Sequence, residues 1–166
     1  FLDRGMLSDM AELEVGVLFQ PPWHYMDAPG LEAILPPEEI NRFMDYDAIL
    51  ESGVLAAGGS DHMAKLDKNL SQNPYNPFIG LHNMLTKKAR DGKVYAKTSV
   101  SRYDALKTYT INGAKAVFAE DSLGSLEQGK KADFVVLDKD YFTCPVDEIF
   151  DICPLEVYFD GEKVEC

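Results

Sequence analysis

The chain is short of every residue that would staple or anchor it. Only three of its 166 residues are cysteine, and Cys144, Cys153 and Cys166 show no C-x-x-C spacing. That excludes a disulfide framework and a thiolate zinc site, and it predicts reduced thiols in a cytoplasmic protein. No stretch approaches the ~20 apolar residues of a membrane span, and the N-terminus lacks a basic and then apolar leader pattern. Basic residues are scarce, 16 against 28 acidic, for a net charge of -12. Such a surface repels phosphate backbones and anionic lipid, so nucleic acid and membrane are excluded as partners. No five like charges occur in succession, which spreads the acidity over a solvated face instead of a tail. Histidine is sparse as well, limited to His24, His62 and His82. There is no methionine at position 1; the chain opens on Phe1, inside what reads as a helix to Leu13. That opening predicts a processed chain or a piece of something longer.

What is present is ordinary for a globular domain: 46% hydrophobic and 27% charged residues, enough for one sizeable core. The organising stretch is Val54-Leu55-Ala56-Ala57-Gly58-Gly59-Ser60-Asp61. An apolar run too brief for a helix and closed by glycine predicts a strand buried on both faces, as in a parallel sheet. Asp61 then leaves the carboxyl end of that strand, where loops converge and ligands bind in α/β folds. An aspartate capping the next turn is the alternative.

A second apolar run, Val15-Gly16-Val17-Leu18-Phe19, ends at Gln20 and then Pro21-Pro22, so Gln20 stands where Asp61 stands. Trp23, His24 and Tyr25 are expected in a long loop reaching about Pro37. Pro36-Pro37-Glu38-Glu39 opens a helix that carries Ile40, Phe43, Met44 and Leu50 on one face and ends at Gly53. Val15 to Asp61 is therefore one βαβ unit with parallel strands. From His62 to Pro77 the turn residues, among them Asn69, Ser71 and Asn73, predict a loop. A helix follows with Phe78, Leu81, His82, Leu85 and Ala89 on its packed face, and His82 is expected in the core. Ser101-Arg102-Tyr103-Asp104 caps a longer helix that runs past Gly113 and Ala114 to Val117.

From about Ala119 the pattern turns to short strands: Leu123–Leu126, Phe134–Leu137, Leu155–Phe159, then an Asp160-Gly161 turn and a last strand through Val164. Asp133 and Asp138 are expected to fix turns. Gly129-Lys130-Lys131 lacks the upstream glycine and following Ser or Thr of a phosphate loop. Gly58-Gly59-Ser60 lacks the second flanking glycine of a nucleophile elbow.

Several phrases together resemble the amidohydrolase superfamily, and within it the amidohydrolase 3 branch that includes exoenzyme regulatory protein-like members. They are Gln20-Pro21 after an apolar strand, Ala57-Gly58-Gly59-Ser60-Asp61, Asn76-Pro77-Phe78-Ile79-Gly80, and Ala105 to Ala114 with its Thr110-Ile111-Asn112-Gly113-Ala114. The last and most specific is Leu123-Gly124-Ser125-Leu126-Glu127-Gln128-Gly129-Lys130-Lys131-Ala132-Asp133 running on to Asp138. The resemblance implies an α/β fold: the C-terminal segment of a metal-dependent hydrolase (β/α)8 barrel, its last two βα units, plus strands of a β-sandwich. On it, residues 1–118 belong to the barrel and 119–166 to the sandwich.

The resemblance further makes Asp61 both metal ligand and catalytic base, with Gln20, Trp23, His24 and Arg42 on the side of a small-molecule substrate. It implies a divalent metal, zinc first, in the full-length protein, and none bound by this chain alone. The family's remaining ligands are a His-x-His pair, a mid-barrel lysine or glutamate, and histidines after strands five and six. They would lie before Phe1 and have no counterpart here. The expected partner of this chain is thus the N-terminal part of the barrel or a second copy of itself. Hydrolysis of an amide or other non-peptide C–N bond is the implied activity. The alternatives are a regulatory or binding protein that kept the fold, and a fragment with no activity of its own.

Overall fold

The computed structural model describes residues 3–62 and 74–165. The Asn69, Ser71 and Asn73 turn signals, Phe1 and Cys166 lie outside the described residues. Helix α1 (Arg4–Glu12), capped by Asp3, leads into strand β1 (Val17–Phe19). Strand β2 (Ala56–Gly58) pairs with β1 in parallel, in the register Val17↔Ala56, Leu18↔Ala57, Phe19↔Gly58. The expected βαβ unit is present, with both strands shorter than their apolar runs.

Its connection differs from expectation. The predicted loop after Gln20 is helix α2 (Pro21–Glu32), followed by α3 (Pro37–Arg42) and α4 (Tyr46–Glu51). Pro21 ends the strand by starting a helix, since at the first helical positions its missing N–H costs nothing. The buried residues of α2 include Pro21, His24 and Ala28, spaced three and four apart. The stripe is helical, but proline, histidine and alanine hide it from a hydropathy reading. The single helix expected to Gly53 is two, because the Asp45 side chain accepts from Ala48 N at 3.3 Å and restarts the chain as a cap.

Helix α5 (Pro77–Thr86) is capped by Asn76, and α6 (Arg102–Thr108) by Ser101, whose side chain accepts from Asp104 N. The longer helix predicted from Ser101 breaks after Thr108 and resumes as α7 (Ile111–Ala116). Beyond it, Leu123–Leu126 is a turn and not a strand: Gly124 takes φ +88, and a Cβ there would meet Ala114 at 2.8 Å. Strands β3 (Phe134–Leu137), β4 (Pro154–Phe159) and β5 (Glu162–Val164) form an antiparallel sheet in that order. Asp133 Oδ1 accepts from Asp160 N at 2.7 Å and Asp138 Oδ1 from Cys153 N at 2.9 Å, the turn-fixing work expected of both.

One core joins these parts. Leu7, Phe19, Tyr46, Ile49, Leu81 and Met84 pack with Tyr141, Ile149 and Ile152 from the C-terminal fifty residues. A short 3-10 helix (Val146–Asp151) carries Ile149 onto α5. Among the described residues no helix is long and apolar enough to cross a membrane.

Candidate functional site

The parallel pair sends both of its chains out at one end. Gly59 N donates to Phe19 O at 3.0 Å, one residue past the assigned strand, so Gln20 and Gly59 depart side by side. Asp61 follows two residues later. It is exposed and has φ +48, a left-handed conformation that aspartate tolerates better than most side chains. Beside it, His62 sets its ring edge-on to Tyr75 at 4.5 Å between centroids.

Gln20 is half-buried at the N-cap of α2, yet its side chain makes no capping bond to the helix. Trp23 lies one turn on, its N–H donating to Gln20 O at 2.9 Å. Its indole Nε1 is buried with no hydrogen-bond partner among the described residues. Gln20 and Asp61 therefore both follow the carboxyl end of the β1–β2 pair, and Trp23 lies within the first turn of α2.

His24 and Arg42 do not join them. His24 is on α2, wholly buried, stacked on Phe43 at 5.7 Å and edge-on to Tyr95 at 6.1 Å. The expected loop imidazole is a core group. Arg42 ends α3 in an exposed pair with Glu39 at 3.4 Å and lines a groove with Arg4, Asp45 and Ser99. His82 occupies the core position foreseen for it, with Nε2 3.4 Å from Asp147 Oδ1.

Sequence reasoning missed the buried polar network around His24. Tyr46 Oη donates to Asn83 Oδ1 at 2.7 Å, and Asn83 Nδ2 lies 3.0 Å from His24 Nδ1 and 3.1 Å from Lys88 O. Lys87, 2% exposed, donates from Nζ to Phe43 O at 2.8 Å and to Met44 O, and lies over the Tyr46 ring at 4.2 Å. Burial drives the His24 pKa down to about 3, helped by the Lys87 charge. Burial likewise lowers Lys87 to about 7 against the opposing pull of Asp45 and Asp47. The readable signal was Asn83, an amide inside a largely apolar helix.

Among the described residues no three His, Cys, Asp or Glu side chains are grouped to hold a metal ion. Asp61, an exposed carboxylate at a strand end, fits one oxygen position of such a site; the described residues do not complete it.

Three comparisons bear on this arrangement. The putative amidohydrolase YtcJ of Bacillus subtilis is 27% identical over 145 residues, covering 85% of this chain and 26% of its own length. The N-substituted formamide deformylase of Arthrobacter pascens is 31% identical over 128 residues, covering 75% of this chain and 22% of the relative. A zinc-bound adenosine deaminase from Xanthomonas campestris superposes with a TM-score of 0.65 at 21% identity, over 98% of this chain and 34% of that one. The chain thus spans about a quarter of the length of these curated relatives and a third of that structure. The model of the amidohydrolase family matches residues 6–164, nearly the whole sequence, and the chain belongs to that family.

Proposed function

We propose that this chain supplies the Asp61 carboxylate of a metal-dependent hydrolase that cleaves an amide or other non-peptide C–N bond. One observation carries the reading: Gln20 and Asp61 leave the same end of a parallel strand pair, and Asp61 is exposed there. The family supports hydrolysis, and relatives named as a formamide deformylase and an adenosine deaminase both act on C–N bonds.

Asp61 in its carboxylate form accepts a proton from the attacking water, whose oxygen bonds to the carbon of the C–N group. The same carboxyl then returns that proton to the departing nitrogen as the C–N bond breaks. Gln20 brings an amide to the same end, able to orient a polar substrate, while the Trp23 indole N–H is buried in the first turn of α2. His24 and Arg42 take no part in this reading, one sealed in the core and the other paired elsewhere. A divalent ion bound in such a site supplies a lowered pKa for water, towards ~7. Because the described residues do not make that site alone, its other ligands would come from outside them.

The test is Asp61→Asn in the full-length protein, assayed by amine or ammonia release from N-substituted formamides and from a 6-aminopurine nucleoside. A general acid–base group of this kind contributes about 10²–10⁴-fold. A loss of kcat in that range, with folding retained, is expected; undiminished turnover would sink the assignment. A wild-type protein that binds no metal and turns over nothing would favour a binding protein that kept the fold.

A further inference from the structure

The break between α6 and α7 falls among poor helix formers, Thr108, Thr110, Asn112 and Gly113, and the residue at its centre points back to the candidate site. Tyr109, at the break, drives its ring between two glycine backbones. A Cβ on Gly58, the last residue of β2, would stand 2.8 Å from Tyr109 Cε2 and 3.2 Å from Thr108 Oγ1. A Cβ on Gly80, in α5, would stand 2.0 Å from Tyr109 Oη and 3.4 Å from Pro22 Cδ, in the first turn of α2. One ring therefore touches the end of β2 and α5 close to the start of α2.

Three residues on from the ring, Asn112 Nδ2 donates to Ala56 O at 2.9 Å. Leu55 O and Gly59 N are bonded to β1, so Asn112 takes a carbonyl on the other side of the strand. The α6–α7 corner holds β2 at positions 56 and 58, immediately before the Gly59–Asp61 segment. The Tyr109 hydroxyl is buried with no partner among the described residues. It gains no hydrogen bond there, which leaves the volume of the ring as the reason for the contact.

We propose that Tyr109 is a positioning residue for Asp61: its ring, wedged between Gly58 and Gly80, sets where the end of β2 presents the carboxylate. This rests on the reading of Asp61 as the reacting carboxylate. The wedge acts by shape and not by a hydrogen bond: the ring fills the space at Gly58, and its Cζ–Oη end fills the space at Gly80. A methyl at 58 is most costly while the ring is present, since the ring atoms at 2.8 and 3.0 Å are nearer than Thr108 Oγ1 at 3.2 Å.

The test is made on the full-length protein, by amide hydrogen exchange at Gly58–Asp61 and by hydrolysis of an N-substituted formamide. For Tyr109→Ala, exchange at those amides is expected to rise at least tenfold with α1 unchanged, and kcat to fall at least tenfold with KM held within twofold. Tyr109→Phe should restore both. Gly58→Ala should loosen the segment in the wild type and do so much less when added to Tyr109→Ala, because the nearest atoms are then gone and Thr108 Oγ1 at 3.2 Å remains. Should Tyr109→Ala fold poorly, Tyr109→Leu gives the same local pattern at smaller amplitude. Unchanged local exchange in Tyr109→Ala, a Phe variant as impaired as Ala, or a Gly58→Ala effect of the same size in both backgrounds overturns the wedge. Retained hydrolysis in Asp61→Asn would instead remove the reading of Asp61, and the exchange data would still judge the wedge.

Discussion

At Asn83 the hydrogen-bond pattern decides a protonation state. Lys88 O can only accept, so the Asn83 atom 3.1 Å from it is the NH2 group, and Oδ1 is left to take the Tyr46 hydroxyl at 2.7 Å. The same NH2 faces His24 Nδ1 at 3.0 Å, which must therefore accept, and the ring proton sits on Nε2. A second proton on His24 would point N–H at N–H, in a site that burial has already made hostile to charge. With the folded pKa at about 3 against the ordinary 6.5, the unfolded chain binds more protons between those values, so His24 withdraws stability as pH falls from 6.5 towards 3. Lys87 does the same in a higher window, from 10.5 down to about 7. The expected outcome is stability that rises with pH from 7 to 10, by up to about 1.4 kcal/mol per unit from Lys87. Urea unfolding across that range should show the rise in wild type and lose it in Lys87→Met. Asn83→Ala strands the Tyr46 hydroxyl and the His24 nitrogen, and should cost about 2–4 kcal/mol in the same assay. A loss under about 0.5 kcal/mol would mean that water replaces the amide.

Helix α2 shows why an element can be present and hard to read. Pro29 lies inside it and brings no N–H for the carbonyl of Tyr25, one turn earlier. That carbonyl instead accepts from Arg90 N at 3.0 Å, so the loop after α5 is tied to the helix through the bond that proline leaves unmade. Proline inside a helix ordinarily costs about 3 kcal/mol. Here Pro29→Ala should change stability by less than about 1 kcal/mol, because the new N–H competes with Arg90 for one acceptor. A gain near 3 kcal/mol in thermal unfolding would show that the Arg90 bond contributes little. The strands other than Leu123–Leu126, α5, the cap at Ser101 and the β4–β5 turn were legible, since each rests on local pattern: apolar runs, a Ser cap, Asp160-Gly161. Helix α2 and the place of the Tyr109 ring were not. The first has a stripe of Pro, His and Ala, and the Tyr109 ring packs on glycines 51 and 29 positions away in sequence. The Asp45 cap is a local signal too, although the apolar stripe around it reads as one continuous helix. At the site, Gln20 and Asp61 could be located from strand ends alone. The burial of His24 could not, because its partners Asn83, Phe43 and Tyr95 come from other segments.

On the scale of the molecule, the sheet β3–β4–β5 is finished on one face only. Phe134 stacks on Tyr158 at 4.4 Å, and Lys163 pairs with Glu156 at 2.7 Å on that same side. The register Val135↔Val157↔Val164 puts these three on the opposite face, and strand alternation adds Leu155 and Phe159 to them. Leu155 is 65% and Phe159 63% exposed, so an apolar strip crosses all three strands uncovered. A strip of that kind marks a surface made to be covered. The chain spans only a quarter to a third of its relatives' length, which makes further polypeptide of the same protein the cover we propose. The 166-residue chain produced alone should then self-associate, its sedimentation coefficient rising with concentration, and should bind an apolar dye. Leu155→Lys with Phe159→Lys should reduce both effects without altering the far-ultraviolet dichroism, because neither side chain enters the core that Tyr141, Ile149 and Ile152 share with Leu7 and Phe19. A wild-type chain that stays monomeric and dye-silent would show that this face is stable in water as it stands. Association that survives both lysines would move the contact elsewhere, first to the side of β2 where Asn112 takes the Ala56 carbonyl and no strand among the described residues is paired.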